Sequence, residues 1–237
     1  MHLFIVTGSS RGLGAALCRQ LLHADHHVLG LARRTDATLA TPQWAVDLAD
    51  PEPVAERLTA WLRTSTGWHS ATLINNAALL APPGPLATSD PAGLAAALRV
   101  GLEAPALLCQ AFLAGTQGVA TRRILNVSSG LGRRAMAGSA AYCAVKAGLD
   151  HLSRALALEE PEVRIESLAP GVIDTDMQVQ LRGADPAHFS EQARFQGLKD
   201  QGLLQSAEGA AQAILRHLLR PDFGKTVITD IREIGNS

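Results

Sequence analysis

Cysteine is scarce in this chain of 237 residues: Cys18, Cys109 and Cys143 are an odd number without paired spacing. That argues against a disulfide framework and for small core residues in a reducing compartment, so a cytoplasmic location is expected. Charge of one sign is lacking too. A formal net charge of -1 leaves no dense basic surface for a phosphate backbone, which excludes nucleic acid as the expected partner. No apolar run reaches the roughly 18 residues of a membrane span, because the Ala/Leu-rich stretches carry charges at helical intervals. Residues 1–8 lack the regions of a secretory signal and run directly into a strand and a glycine loop. Repeats and low-complexity linkers are absent, so residues 1–237 are expected to form one domain. Histidine is plentiful at eight, but His23, His26 and His27 fall where a first helix ends and a second strand begins. Polar or cationic rings suit that position, and no metal is expected.

What is present is an alternation of two hydrophobic periods. Strand-like runs are expected at residues 2–7, 27–32, 44–46, 71–75, 123–127, 163–168 and 226–231. Helical spacing occupies residues 13–22, 51–63, 94–113, 139–158 and 208–219. Strands separated by helices imply right-handed crossovers and a sheet covered on both faces, a doubly wound α/β domain. A Pro-rich loop is expected at residues 81–85. Residues 174–205 fit neither period and read as an irregular lid over a binding site.

The first strand ends in Thr7-Gly8-Ser9-Ser10-Arg11-Gly12-Leu13-Gly14. Glycines at a strand-to-helix turn let backbone approach a pyrophosphate, and the helix N-terminus stabilises its charge. Where the second strand ends, an acid would bind the adenosine ribose and a cation a 2'-phosphate. The chain has Arg33 and Arg34 there and no acid before Asp36, with Arg11 as a further cation in the glycine loop. Charge-assisted guanidinium contacts to phosphate favour NADPH.

Tyr142, the only tyrosine, and Lys146 are four residues apart and share a helix face. An ammonium beside a phenol is expected to lower its pKa toward neutrality. Ser128 and Ser129 close the preceding strand, at the end of the sheet where ligands sit in this architecture. With Asn75-Asn76-Ala77 ending the fourth strand, Ser129 thirteen residues before Tyr142 and Pro170-Gly171 ending the sixth, the whole chain resembles the classical short-chain dehydrogenase/reductase family. Asn126-Val127-Ser128-Ser129-Gly130, Ala141-Tyr142-Cys143-Ala144-Val145-Lys146 and Pro170-Gly171-Val172-Ile173-Asp174-Thr175 look most like its benzil reductase and sepiapterin reductase branch.

The resemblance implies a single-domain Rossmann fold with a seven-stranded, mostly parallel sheet, and reduction of a ketone or diketone carbonyl. It assigns proton donation to Tyr142, orientation of the carbonyl oxygen to Ser129, and a hold on the nicotinamide ribose to Lys146. By the same resemblance Thr7, Gly8, Ser10, Gly12, Leu13 and Gly14 belong to the cofactor site, Asp47 contacts adenine, Asn75 and Ala77 flank the cofactor, and Pro170, Gly171, Ile173 and Thr175 face its carboxamide end. It also implies a homodimer or homotetramer. Leu131 and Met177 are candidate substrate contacts. Together with Val179, Leu181, Phe189 and Phe195 they suit an apolar carbonyl compound, or else serve only as packing. Two positions depart from the family pattern: Ala78 stands for its usual glycine, and Gly101 for a helix asparagine that supports a water-mediated relay to the lysine. Glycine leaves room for water there but supplies no side chain. A cofactor-binding sensor without turnover and an NAD-linked alcohol dehydrogenase are the rival readings; the first leans on Gly101, and the second lacks its acid.

Overall fold

A computed structural model describes residues 1–234. Its seven strands are β1 (His2–Thr7), β2 (His26–Ala32), β3 (Gln43–Ala45), β4 (Ser70–Asn75), β5 (Thr121–Val127), β6 (Val163–Ala169) and β7 (Ile228–Asp230). They form one sheet in the order β3-β2-β1-β4-β5-β6-β7. Every pairing is parallel, not merely most of them. Each crossover between parallel neighbours runs over a face of the sheet, which removes the need for any hairpin.

Alternation along β1 explains the two-sided core. Phe4 and Val6 join one apolar cluster with Leu17 of α1 (Gly12–Gln20) and Ile214 and Leu218 of α8 (Ala207–Leu218). Leu3 and Ile5 point the other way, into a cluster with Leu58 of α2 (Pro51–Thr64) and Leu108 and Phe112 of α4 (Ala104–Gly115). Each such side chain contributes about 1.5–3 kcal/mol on burial. Local signals set the helix starts: Pro51 opens α2 with Glu52 in its first turn, and the Ser206 hydroxyl accepts from Gly209 N at the start of α8.

Three expectations change here. The segment 174–205 is not irregular: it contains α6 (Asp176–Arg182) and α7 (Gln192–Asp200). Each is a short helix whose apolar stripe is interrupted by Gly, Pro and Asp, so the period is lost over a long window. The expected helix at 94–113 is α3 (Pro91–Leu98) joined to α4 by a π turn at Arg99–Glu103. The continuous run Pro91–Gly115 is long and apolar enough to cross a bilayer by length and composition, with an 18-residue window of mean hydropathy 1.4. Its apolar content is partly used internally, since Ala104, Leu108, Ala111 and Phe112 are fully buried in the domain core.

The strand order reverses between β1 and β4. Crossovers leave the sheet in opposite directions there, which opens a crevice at the strand C-termini.

Candidate active site

The crevice is a continuous open cleft of about 1500 Å³. One end is made by the turn after β1. Gly8 has a φ of 69°, and a Cβ on Gly14 would lie 2.1 Å from Gly8 O. Any side chain at Gly14 would drive the loop and α1 apart. Ser10, Arg11, Gly12 and Leu13 line the cleft beside them. Among the described residues no side chain caps the N-terminus of α1, so its first amides remain available to an anion. Gly12 faces Thr175, whose methyl would lie 3.6 Å from an added Cβ. That approach brings the loop after β6, with Pro170, Gly171 and Ile173, to the same cleft.

Arg33 and Arg34 follow β2 on the cleft wall, exposed. Asp36, the first acid after the strand, is engaged locally: its carboxylate accepts from Thr38 N and Oγ1 at 2.9 and 2.7 Å and lies 3.7 Å from Arg19. Those hydrogen bonds, ahead of Arg19, hold its pKa below the ordinary value. Arg11 meets Asp176 of α6 at 2.5 Å, with both side chains mostly exposed. An exposed pair of this kind is worth ~0–1 kcal/mol, so a phosphate can compete for the guanidinium. Asp47 is exposed on the same wall and accepts from Ala49 N at 2.9 Å.

Three residues expected at the cofactor lie behind the cleft surface. Thr7 Oγ1 accepts from Asn76 N and Ala77 N, both at 2.9 Å, fastening the end of β4 to β1. Gly14 supports the loop. Asn75 is 3% exposed, and its amide donates to Asn126 Oδ1 at 2.9 Å and meets Cys109 Sγ at 3.4 Å. In-register pairing of Asn75 with Asn126 across β4 and β5 turns it inward. The neighbouring Asn76 and Ala77 line the cleft instead. The alternation of side chains at a strand end is the signal that favours one asparagine over the other.

The opposite end of the cleft holds Ser129, Tyr142 and Lys146. Ser129 follows β5 and accepts from Leu131 N at 3.2 Å, which fixes its turn. Tyr142 and Lys146 stand one turn apart on α5 (Ala140–Glu159). Lys146 Nζ lies 5.5 Å from the centre of the Tyr142 ring and donates to Val127 O at 2.7 Å. The expected lowering of the phenol pKa is not what this arrangement produces. Burial pushes Tyr142 up to about 12, opposed by the Ser129 hydroxyl, with a smaller upward effect from Cys143. Burial also lowers Lys146 to about 8, with Asp150 acting against it. Desolvation outweighs charge here because the ammonium is turned toward a backbone carbonyl.

Gly101 is buried in the π turn, and a Cβ there would lie 2.5 Å from Val145 Cγ1. Val145 fills the gap that the missing side chain leaves.

Next to Tyr142, Leu131, Met136, Leu181, Phe189 and Phe195 form a separate apolar cluster, with Met177, Leu80 and Leu198 against it. Phe189 and Phe195 stack at 5.9 Å. Of the six candidates, Val179 is 58% exposed and Phe189 is fully buried away from the cleft, whereas Leu131, Met177, Leu181 and Phe195 reach the cleft wall. Met136 and Leu198 join them there, and neither was expected.

The model of the short chain dehydrogenase family matches residues 2–185. The chain belongs to that family. A benzil reductase ((S)-benzoin forming) from Bacillus cereus is 32% identical over 98% of this chain and all of its own length. A sepiapterin reductase from Meriones unguiculatus is 32% identical over 92% of each chain. Among solved structures, a metagenomic short-chain oxidoreductase in complex with NADP superposes with a TM-score of 0.72 at 27% identity, covering 97% of this chain and 94% of that one. Members of the family are oxidoreductases, and this chain carries the Ser129, Tyr142 and Lys146 set at the cleft that the fold opens.

Proposed function

We propose that this short-chain oxidoreductase reduces a ketone or diketone carbonyl to an alcohol with NADPH, and that Tyr142 is the proton donor. The observation that carries the reading is one cleft with two chemically distinct ends: unpaired Arg33 and Arg34 at one, and Ser129, Tyr142 and Lys146 at the other. Among the described residues no carboxylate is within ion-pair reach of either arginine, and Asp36 is held by Thr38 and Arg19. A 2'-phosphate suits that wall better than a ribose hydroxyl. The relation to an NADP-bound neighbour and to benzil and sepiapterin reductases supports the same choice.

The glycine turn and the uncapped start of α1 fit a pyrophosphate, with backbone close enough that a Cβ on Gly14 would collide with Gly8 O. When bound, the dinucleotide supplies hydride. Ser129 holds the substrate carbonyl oxygen, and Tyr142 gives that oxygen its proton. A phenol pushed to about 12 stays protonated through neutral pH, and the alkoxide forming on the substrate is a much stronger base than a phenolate. Leu131, Met136 and Met177 exclude water from one side of the carbonyl and favour an apolar substrate.

The reading includes a cytoplasmic location, supported by three unpaired cysteines, and a homodimer or homotetramer. Assembly is supported by apolar side chains such as Leu98, 38% exposed on the run Pro91–Gly115, whose apolar 18-residue window is only a third buried. The testing experiment follows NADPH absorbance with aromatic diketones, pterin-like ketones, quinones and aldehydes. Turnover on at least one class is expected. Tight NADPH binding with no turnover on any of them would leave a cofactor sensor.

A further inference from the structure

Asp150 is a buried carboxylate close behind the cleft that the proposed chemistry does not use. It lies one helical turn beyond Lys146 on α5 and is 3% exposed. Its Oδ1 accepts from Ser128 Oγ at 2.5 Å and from Ser167 Oγ of β6 at 2.6 Å. Among the described residues its Oδ2 has no hydrogen-bond partner, and it lies 3.4 Å from Arg133 Nε. Arg133 also donates to Thr229 O at 2.7 Å. The turn between them is tight: a Cβ on Gly132 would lie 2.8 Å from Asp150 Oδ2 and 2.9 Å from Lys146 O. A buried carboxylate therefore joins the residue before Ser129, the next strand, the following loop and the helix that carries Lys146.

Gly101, in the π turn, supplies no polar side-chain atom, and Val145 of α5 packs against it so that an added Cβ would lie 2.5 Å from Val145 Cγ1. The remaining charged groups around Lys146 are few. Tyr142 precedes it on α5. Arg133 and Arg134 follow β5, Asp230 of β7 is held by Arg232 at 2.5 Å, and Arg99 and Glu103 of the π turn pair with each other at the surface. Glu166, next to Ser167 on β6, points to the opposite face, where it pairs with His217 at 2.7 Å.

We propose that Asp150 is a positioning residue whose buried carboxylate, balanced by Arg133, sets the charge of Lys146 and seats the Ser128–Ser129 corner, in place of the polar helix residue that Gly101 lacks. This deepens the reductase reading and rests on it for its meaning in turnover. Lys146 and Asp150 are both 3% exposed and stand one turn apart on α5, and Asp150 raises the lysine against its depression by burial, so the two variants are expected to move the lysine in opposite directions. Asp150→Asn removes the counter-charge and lowers its midpoint. Arg133→Gln removes a competing cation and raises it.

The chain has three lysines, Lys146, Lys199 and Lys225, so protein labelled at the lysine ε-carbon gives three NMR signals, and Lys146 is assigned by its absence in Lys146→Gln. Its titration midpoint is expected to fall by about one unit in Asp150→Asn and to rise in Arg133→Gln, and the alkaline limb of NADPH turnover should follow. Midpoints that stay together, or that move in the same direction, overturn the proposal. Should Asp150→Asn not fold, Arg133→Gln, altered at a side chain a third exposed, decides alone: an unmoved or lowered midpoint refutes it. The NMR titration does not depend on turnover, so a wild-type chain that consumes no NADPH refutes the reductase reading separately.

Discussion

At the residue scale, the account turns on protonation and on one phosphate. Tyr142→Phe keeps the ring and removes the proton, so kcat for reduction should fall about 10²–10⁴-fold, with NADPH affinity unchanged in a fluorescence titration. Arg33→Ala should weaken NADPH about 10–100-fold, the loss expected of a charge-assisted hydrogen bond, while NADH affinity stays constant. Equal losses for both cofactors would place Arg33 away from the 2'-phosphate. Lys146 sets the pH dependence. Its ammonium is present below about 8 and lost above it, so reduction should hold through neutral pH and decline as pH rises through that value. These roles were legible because Tyr142, Lys146 and Ser129 carry their chemistry in their identity and spacing. The pKa of Tyr142 was not, since burial rather than the neighbouring charge controls it.

At the element scale, the strand and helix alternation was readable because each strand is a short apolar run and each long helix keeps a continuous stripe. The lid helices α6 and α7 were hidden by their shortness and by the Gly, Pro and Asp residues around them. The π turn between α3 and α4 leaves no periodic mark of its own, and so the packing of Val145 against Gly101 was not legible. Asp150 was within reach of the sequence: Tyr142, Lys146 and Asp150 are spaced at successive fours on one helix face. Gly101→Asn should not recover the family's usual arrangement. Its Cβ would meet Val145 Cγ1, so thermal unfolding should show a loss of about 1–3 kcal/mol, relieved in the Gly101→Asn, Val145→Ala double variant. Unchanged stability in the single variant would show that Val145 yields easily.

At the scale of the whole molecule, the strand order explains why the parts meet. The reversal between β1 and β4 opens one cleft across the sheet ends. The turns after β1 and β2 line one end of it, the end proposed for the phosphates, and β5, α5, α6 and α7 the end that holds Ser129, Tyr142 and Lys146. A doubly wound sheet was evident from the alternation alone, but which asparagine of Asn75 and Asn76 faces the cleft needed the pairing of β4 with β5. The central claim is that this cleft passes hydride to a carbonyl carbon while Tyr142 protonates its oxygen. Its most direct test is to supply NADPH carrying deuterium at the transferable position together with an aromatic diketone, and to analyse the alcohol by mass spectrometry. The account predicts deuterium on the carbinol carbon with the wild-type chain and almost no product with Tyr142→Phe. Product without deuterium, or an undiminished yield from Tyr142→Phe, would contradict it.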